Sequence, residues 1–348
     1  MKKNESNIGI LFFTKEQASL LHVLSKKITL SGGPDSNSVN SEIDTEIIEF
    51  KNMLTVSQNT IIEKYKNQEI PALAFENMEE FSKEISNEKE LKKEILENSY
   101  DIQYLGSRSQ ILLKLIEQKA FAYDIDNKAK IVRTVANFNG GGQNKISKEL
   151  SKVELSSHSG IPLGPHTEAP YNCTFKSKDG LSPSPSSLII SAKYNPGLEP
   201  TFVIPILPIL ERIGIENTLA LSLNYFTFTQ SDSFTNVENR CEKKKVSILD
   251  FNEEEGFSVR YNSYRFSITN DAPLRVKRAY ELFCKEVDKN QPEEYVVTNK
   301  SAIIINNYRA LHSRNVIKHN GRVLVRLFGI SNKIEYTMLS NNPLIIKG

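Results

Sequence analysis

His166 and Glu168 stand two residues apart, and His312 follows 146 positions after the first of them. Residues two apart on a β-strand project from the same side, so on a strand this pair can bind one metal ion. His312 can join them only if the fold returns the chain to that strand, which demands a core with long-range strand pairing. Two imidazoles and one carboxylate cap one face of a ferrous ion and leave the opposite face open, as a non-haem iron centre needs if co-substrate and O2 are to bind. The triplet alone is weak, because His-x-Glu arises by chance and a buried histidine is more often simply hydrogen-bonded.

Beyond residue 130 the chain supports such a core. Short β-branched runs recur at 130–138, 188–192, 201–206, 245–249, 258–260, 264–268, 295–297, 302–305 and 323–330, each bounded by Gly, Pro, Asn or Asp. Many short strands with turn signals between them predict a barrel or jelly roll. Two helices interrupt them, one at 206–213 extending toward Ser222, the other at 273–287 with Val276, Tyr280 and Phe283 facing inward. The first 130 residues read as mainly helical: a capped helix over 14–28, helical spacing over 42–65 and 78–96, and a helix over 110–122. No long linker sets them apart, so they are expected to pack around the later sheet within a single domain, 1–348, of α+β class. The segment 230–245 is polar and poor in apolar residues, and reads as part of a lid spanning about 230–256.

The neighbours of His312 strengthen the metal reading. The run NYRALHSRNVIKHNGRVLVR, from Asn307 to Arg326, resembles the distal half of the iron- and 2-oxoglutarate-dependent oxygenases of the taurine dioxygenase superfamily. There the second His stands in an Asn-x-x-x-x-His-x-Arg context. His-Thr-Glu in place of His-x-Asp points to the clavaminate-synthase-like branch, which includes hydroxylases of free amino acids. The resemblance covers about residues 135–330. It implies a distorted double-stranded β-helix (jelly-roll) core with flanking helices, and Fe(II) held by His166, Glu168 and His312. It further implies 2-oxoglutarate and O2 as co-substrates, with Arg322 and the hydroxyl of Thr201 on the far carboxylate of 2-oxoglutarate. Arg326, four residues beyond Arg322 on the same strand face, is the candidate clamp for a substrate carboxylate; its bland reading is a strand-end salt bridge. Gln143, Ser156 and Ser157 match loops that approach the substrate in that family.

Two departures are visible. The insertion KSKDGLSPSPSS separates His-Thr-Glu from the strand of Thr201, and Thr298-Asn299-Lys300-Ser301 replaces the usual Gly-Asp turn before the distal strand. Halogenases of the superfamily lack the carboxylate ligand; Glu168 is retained, so hydroxylation, or desaturation by the same centre, is expected.

Composition narrows the partners. A net charge of +2 over 348 residues gives no reason to expect nucleic acid or an anionic membrane. No stretch approaches eighteen apolar residues, and the apolar run near the start is too short for a signal peptide. Cys173, Cys241 and Cys284 form no CxxC, which suits a reduced cytoplasm; Cys173 reads as a small buried residue. His22, His158 and His319 read as core or loop residues. The loop Gly140–Asn144 lacks a following Lys-Ser/Thr and is no P-loop. The leading expectation is an oxygenase hydroxylating an unactivated C–H of a free amino acid or similar small polar molecule in specialised metabolism. Its alternatives are an oxygenase or desaturase acting on a carrier-tethered or modified substrate, and a catalytically silent jelly-roll binding subunit.

Overall fold

A computed structural model of the chain describes residues 7–36, 39–81, 93–138, 157–168, 174–178, 180–229, 244–253, 255–339 and 342–348. Gln143, Ser156, Cys173, Cys241 and the 230–243 part of the expected lid lie outside the described residues.

The chain opens with strand β1 (Ile8–Phe12), helices α1 (Lys15–Leu30), α2 (Val39–Asn52) and α3 (Val56–Lys66), and strand β2 (Ala72–Glu76). Helices α4 (Lys93–Glu97) and α5 (Tyr100–Leu115) precede strands β3 (Gln118–Tyr123), β4 (Arg133–Ala136), β5 (Leu163–His166), β6 (Ser187–Tyr194) and β7 (Thr201–Pro205). Helices α6 (Leu207–Ile213) and α7 (Ile215–Leu221) lead to strands β8 (Phe226–Phe228), β9 (Leu249–Asn252), β10 (Gly256–Val259) and β11 (Phe266–Ile268). After helix α8 (Leu274–Lys289) come β12 (Glu293–Tyr295), β13 (Ala302–Asn306), β14 (Ala310–Arg314), β15 (Val323–Ser331), β16 (Met338–Leu339) and β17 (Asn342–Ile346).

Local chemistry starts the first helices. Thr14 accepts the backbone N–H of Gln17 at 3.3 Å while the Gln17 amide oxygen accepts the N–H of Thr14 at 2.9 Å, a reciprocal cap that satisfies two orphan donors. Thr55 and Gln58 repeat it at the start of α3, with distances of 3.2 and 2.8 Å. The two glutamines then bond to each other at 3.0 Å, tying α1 to α3 through buried amides.

The large sheet runs β1-β2-β13-β6-β15-β3-β17-β16, with β4 also paired to β15; the smaller one runs β12-β7-β14-β5. Leu188, Ile190 and Phe328 from the large sheet share a buried cluster with Val203, Ala310 and Tyr295 from the small one, so the two sheets face each other. Ile189, Val325 and Leu327 face the other way and pack on α1 and α5 through Leu21, Leu112 and neighbours. Helices α6 to α8 cover the outer face of the small sheet, where Ile204 and Leu311 meet Ile209, Val276 and Phe283. The architecture is thus mixed α and β, with two facing sheets between helical layers.

The sequence expectations hold for most strands after residue 130 and for α8. The N-terminal third differs: β1, β2 and β3 are strands of the large sheet. The expected helix over 110–122 is the end of α5 followed by β3, with Glu117 turning the chain at φ 59°. Both elements are buried nearly all round, so neither shows the one-sided periodicity that separates helix from strand. The helical pattern over 42–65 breaks where Thr55 caps a new helix, and the helix after Ile206 breaks at Gly214, whose φ of 81° suits glycine. The expected strand at 245–249 reduces to a single bridge at Val246 before β9 begins.

Leu327 is fully buried between β15 and the helical layer. Leu327→Ala should destabilise the protein by about 2–5 kcal/mol, through lost burial and the cavity left behind. Equilibrium urea unfolding reads this as a lower midpoint at unchanged slope.

Candidate metal centre

β14 lies between β5 and β7 in the small sheet, and its antiparallel register sets His312 opposite His166 on one side and Val203 on the other. The two imidazole rings are 4.1 Å apart, centroid to centroid. Glu168 lies just past the end of β5, so strand geometry does not hold it. Asn307, almost fully buried, does so instead. Its side-chain oxygen accepts the backbone N–H of Glu168 at 2.8 Å, and its amide donates to the carbonyls of Glu168 at 3.1 Å and Pro185 at 3.0 Å. Across the other edge of β5, the Thr167 N–H donates to the Tyr261 carbonyl at 2.8 Å and Asn262 bridges to His166. Glu168 is thereby turned to the same side as the two histidines.

One ligand atom from each of His166, Glu168 and His312 falls within 4.8 Å of the others. Nδ1 of His166 bonds to the Gly164 carbonyl at 2.8 Å, which leaves Nε2 to carry the lone pair. Nε2 of His312 is 3.6 Å from the Glu168 carboxylate. Burial and the neighbouring His312 lower the His166 pKa to about 3, so this imidazole is neutral. Burial works against the charge of Glu168, but the Arg326 guanidinium together with His312 and His166 outweighs it and holds the carboxyl well below its usual range. A neutral imidazole and a carboxylate in this state need shed no proton before taking up a divalent cation. The donor set, nitrogen with a single carboxylate, suits a first-row transition metal such as ferrous iron.

The arginine candidates fall in two groups of buried charge, the first of which adjoins the triad. In the first, Arg326 donates to the Glu168 carboxylate, and its other terminal nitrogen is 4.0 Å from Asp126. Asp126 accepts both its bonds from one nitrogen of Arg133, at 2.7 and 3.0 Å, and the Nε of Arg133 has no partner. In the second, Arg322 approaches Glu199 at 3.8 Å, and Glu199 also receives the backbone N–H groups of Lys318 and His319 at 2.9 and 2.8 Å. Arg314 stands beside Arg322 and gives one nitrogen to the carbonyls of Ser159 and Ile161, at 2.7 and 3.1 Å. Nε of Arg322 and both Nε and Nη1 of Arg314 are buried without partners. Burial lowers Arg322 to about 10, and burial with the repulsion of Arg322 lowers Arg314 to about 9, yet both stay charged at pH 7. Among the described residues, two guanidiniums against one carboxylate leave a buried positive charge uncompensated, which is costly unless an anion joins them.

Among the sequence candidates, the fold brings His166, Glu168 and His312 together and separates the two arginines, Arg326 beside the triad and Arg322 in the second group. Thr201 is buried at the start of β7, two residues after Glu199. Ser157 is described with a buried, partnerless hydroxyl. His158 packs its ring on Phe138, bonds to the Thr134 carbonyl at 3.2 Å, and is held neutral with a pKa of about 3, chiefly by burial. The sequence reading missed Asp126, Arg133 and Glu199. None stands in a motif, and only their placement beside Arg326 and Arg322 reveals them. Arg314 and Asn307 did stand in the quoted run, without a stated role.

No family model matches the chain, and no curated protein matches it. Its fold does match solved structures of the non-heme iron oxygenase OrfP. The complex of OrfP with Fe, succinate and (3S)-hydroxy-L-Arg is 16% identical at TM-score 0.68, covering 93% of this chain and 94% of that one. A point mutant of OrfP in complex with (3S)-hydroxy-L-Arg is 15% identical at TM-score 0.72, covering 97% and 99%. OrfP with Fe and alpha-ketoglutaric acid is 16% identical at TM-score 0.67, covering 93% and 94%. At such identities the likeness is one of fold, along nearly the whole of both chains. Among the described residues, no helix is long and apolar enough to cross a membrane.

Two outcomes follow for the isolated site. Asn307→Ala releases Glu168 while leaving every metal ligand in place, so affinity for a divalent metal should fall about 10–100-fold in an equilibrium titration. His166 and His158 bind a proton readily when unfolded but resist it when folded. Stability of the metal-free protein is therefore full above pH 6.5 and declines below it, by up to about 1.4 kcal/mol per pH unit for each group. Urea unfolding at pH 7, 6 and 5 measures the slope, and His158→Asn should reduce it.

Proposed function

We propose that the protein is an Fe(II)- and 2-oxoglutarate-dependent oxygenase. It hydroxylates an unactivated C–H bond of a free amino acid or a similar small polar substrate, on a double-stranded β-helix core. One observation carries this reading: a His-Glu-His cluster adjoins buried Arg326, and a second buried arginine pair, Arg314 and Arg322, meets one carboxylate among the described residues. The fold is shared with OrfP, for which complexes with Fe, alpha-ketoglutaric acid, L-Arg and L-canavanine are known.

The residues divide the work. His166, Glu168 and His312 would hold the iron from one side and leave the opposite side open. Arg322, with the Thr201 hydroxyl and Arg314 nearby, would take the distal carboxylate of 2-oxoglutarate; a guanidinium suits that task because it donates two parallel bonds. Ferrous iron with 2-oxoglutarate and O2 supplies the oxidising chemistry when bound. Arg326 lies next to Glu168 and would anchor a substrate carboxylate, setting which C–H bond faces the iron. Asn307 keeps the carboxylate ligand in place, and the buried walls contributed by Val203, Ala310 and Phe328 exclude water. A full set of ligands and an unneutralised arginine group argue against a silent binding subunit, and retention of Glu168 against halogenation. We assign the product to small-molecule tailoring in specialised metabolism.

His312→Ala should abolish iron binding and succinate formation together, in metal analysis and product assay of the same preparation. Arg322→Ala should raise the KM for 2-oxoglutarate about tenfold to a hundredfold, because a charge-assisted contact worth roughly 1.5–3 kcal/mol is lost. Arg326→Ala should weaken the amino-acid substrate instead. Should Arg326 govern 2-oxoglutarate and Arg322 the substrate, their roles are reversed.

A further inference from the structure

We infer that the primary substrate carries a net charge of minus one: a carboxylate at Arg326 and Arg133 that no ammonium or guanidinium of the substrate cancels. This rests on the oxygenase reading and narrows its substrate class.

The argument is a charge balance of two buried groups. In the distal group, Arg314 and Arg322 face the single carboxylate of Glu199, an excess of one positive charge. The distal carboxylate of 2-oxoglutarate cancels it. In the proximal group, Arg133 and Arg326 meet Asp126 and Glu168, and the protein charges cancel among themselves. Ferrous iron adds two positive charges there, and the metal-chelating carboxylate of 2-oxoglutarate removes one. One positive charge remains beside the open face of the metal, in surroundings where an uncompensated charge is expensive. The substrate is the species left to neutralise it.

The polar contacts point the same way. Among the described residues, the two proximal carboxylates are already engaged, Asp126 by Arg133 and Glu168 by Arg326, so neither is spare to receive a cationic side chain. Nε of Arg133 is buried and has no partner, a donor still open to an anion. A cleft lies beside this pair, lined by Phe121, Tyr123, Asp126, Arg133 and Arg326; Lys130, also at the cleft, turns its ammonium to Asn98 at 3.4 Å in an exposed contact and stays outside the buried balance. OrfP, by contrast, is known in complex with the cationic amino acids L-Arg and L-canavanine. Shared fold and shared metal chemistry therefore need not mean shared substrate charge.

The test is equilibrium binding, read by anaerobic calorimetry on the protein loaded with ferrous iron and 2-oxoglutarate. L-glutamate should bind about tenfold or more tightly than its neutral isostere L-glutamine, the discrimination expected of one charge-assisted contact. L-arginine should bind weakest. N-acetyl-L-glutamine separates the two sources of the charge. If it matches glutamate, the missing ammonium suffices; if it does not, a second carboxylate is required, and both results uphold a monoanion. Without iron and 2-oxoglutarate the proximal group is neutral, so the glutamate preference should shrink. Measured at saturating 2-oxoglutarate, Arg133→Gln should erase that preference and Arg133→Lys should retain most of it. Equal or tighter binding of glutamine or arginine by the loaded protein overturns the inference and leaves the oxygenase reading standing. Failure of the protein to bind 2-oxoglutarate overturns both.

Discussion

The antiparallel pairing of β14 with β5 on one edge and β7 on the other is the contact on which the site depends. It sets His312 across from His166 and beside Val203, at one position along three strands. Side chains alternate faces along a strand, so a slip of one residue would turn His312 into the helical layer and put Leu311 where the metal ligand belongs. The two faces are specified by what they bury. Leu311 packs with Ile204, Ile209 and Phe283, whereas Ala310 packs toward the large sheet. Register, core packing and metal geometry are therefore one constraint, and the irregularity between His312 and Arg314 occurs only after the ligand has been placed.

Charge is the second organising element. Arg133, Arg314, Arg322 and Arg326 are all buried, against Asp126, Glu199 and the part-buried Glu168. Buried guanidiniums with partnerless nitrogens do little for stability, since their desolvation is not repaid within the protein. In the proposed function their presence near the candidate metal cluster would serve as preorganisation, with the cost met when anions bind. Such donors need not reorient during the reaction, which is where fixed dipoles and charges are most effective.

The two segments singled out in the sequence as departures leave the pairing of β5 with β14 intact. The turn at Thr298–Ser301, which lacks the usual Gly-Asp pair, is closed by the Ser301 hydroxyl accepting the Thr298 N–H at 2.9 Å and by the Ser301 N–H donating to the Thr298 carbonyl at 3.2 Å. Part of the insertion after the His-Thr-Glu triplet packs against the C-terminal segment, where Ser182 exchanges hydrogen bonds with Thr337 at 3.1 Å. The end of the insertion also reaches the site, where the Pro185 carbonyl accepts from the Asn307 side chain at 3.0 Å and the Ser186 carbonyl from its backbone N–H at 2.9 Å.

The sequence by itself determined the ligand types, the strand-rich character beyond residue 130, and the reciprocal caps at Thr14 and the helical signal near Thr55. Each is a local property, readable from residue chemistry within a few positions. It could not separate α5 from β3, because elements buried on every side lose their periodicity. Nor could it show that Glu168 is held by Asn307, 139 residues away, or that Arg133 and Asp126 join Arg326. Only the tertiary structure decided those partnerships. The physical reason is that charge balance and ligand orientation depend on distances in space, and strand pairing across the fold sets those distances with no local trace in the chain.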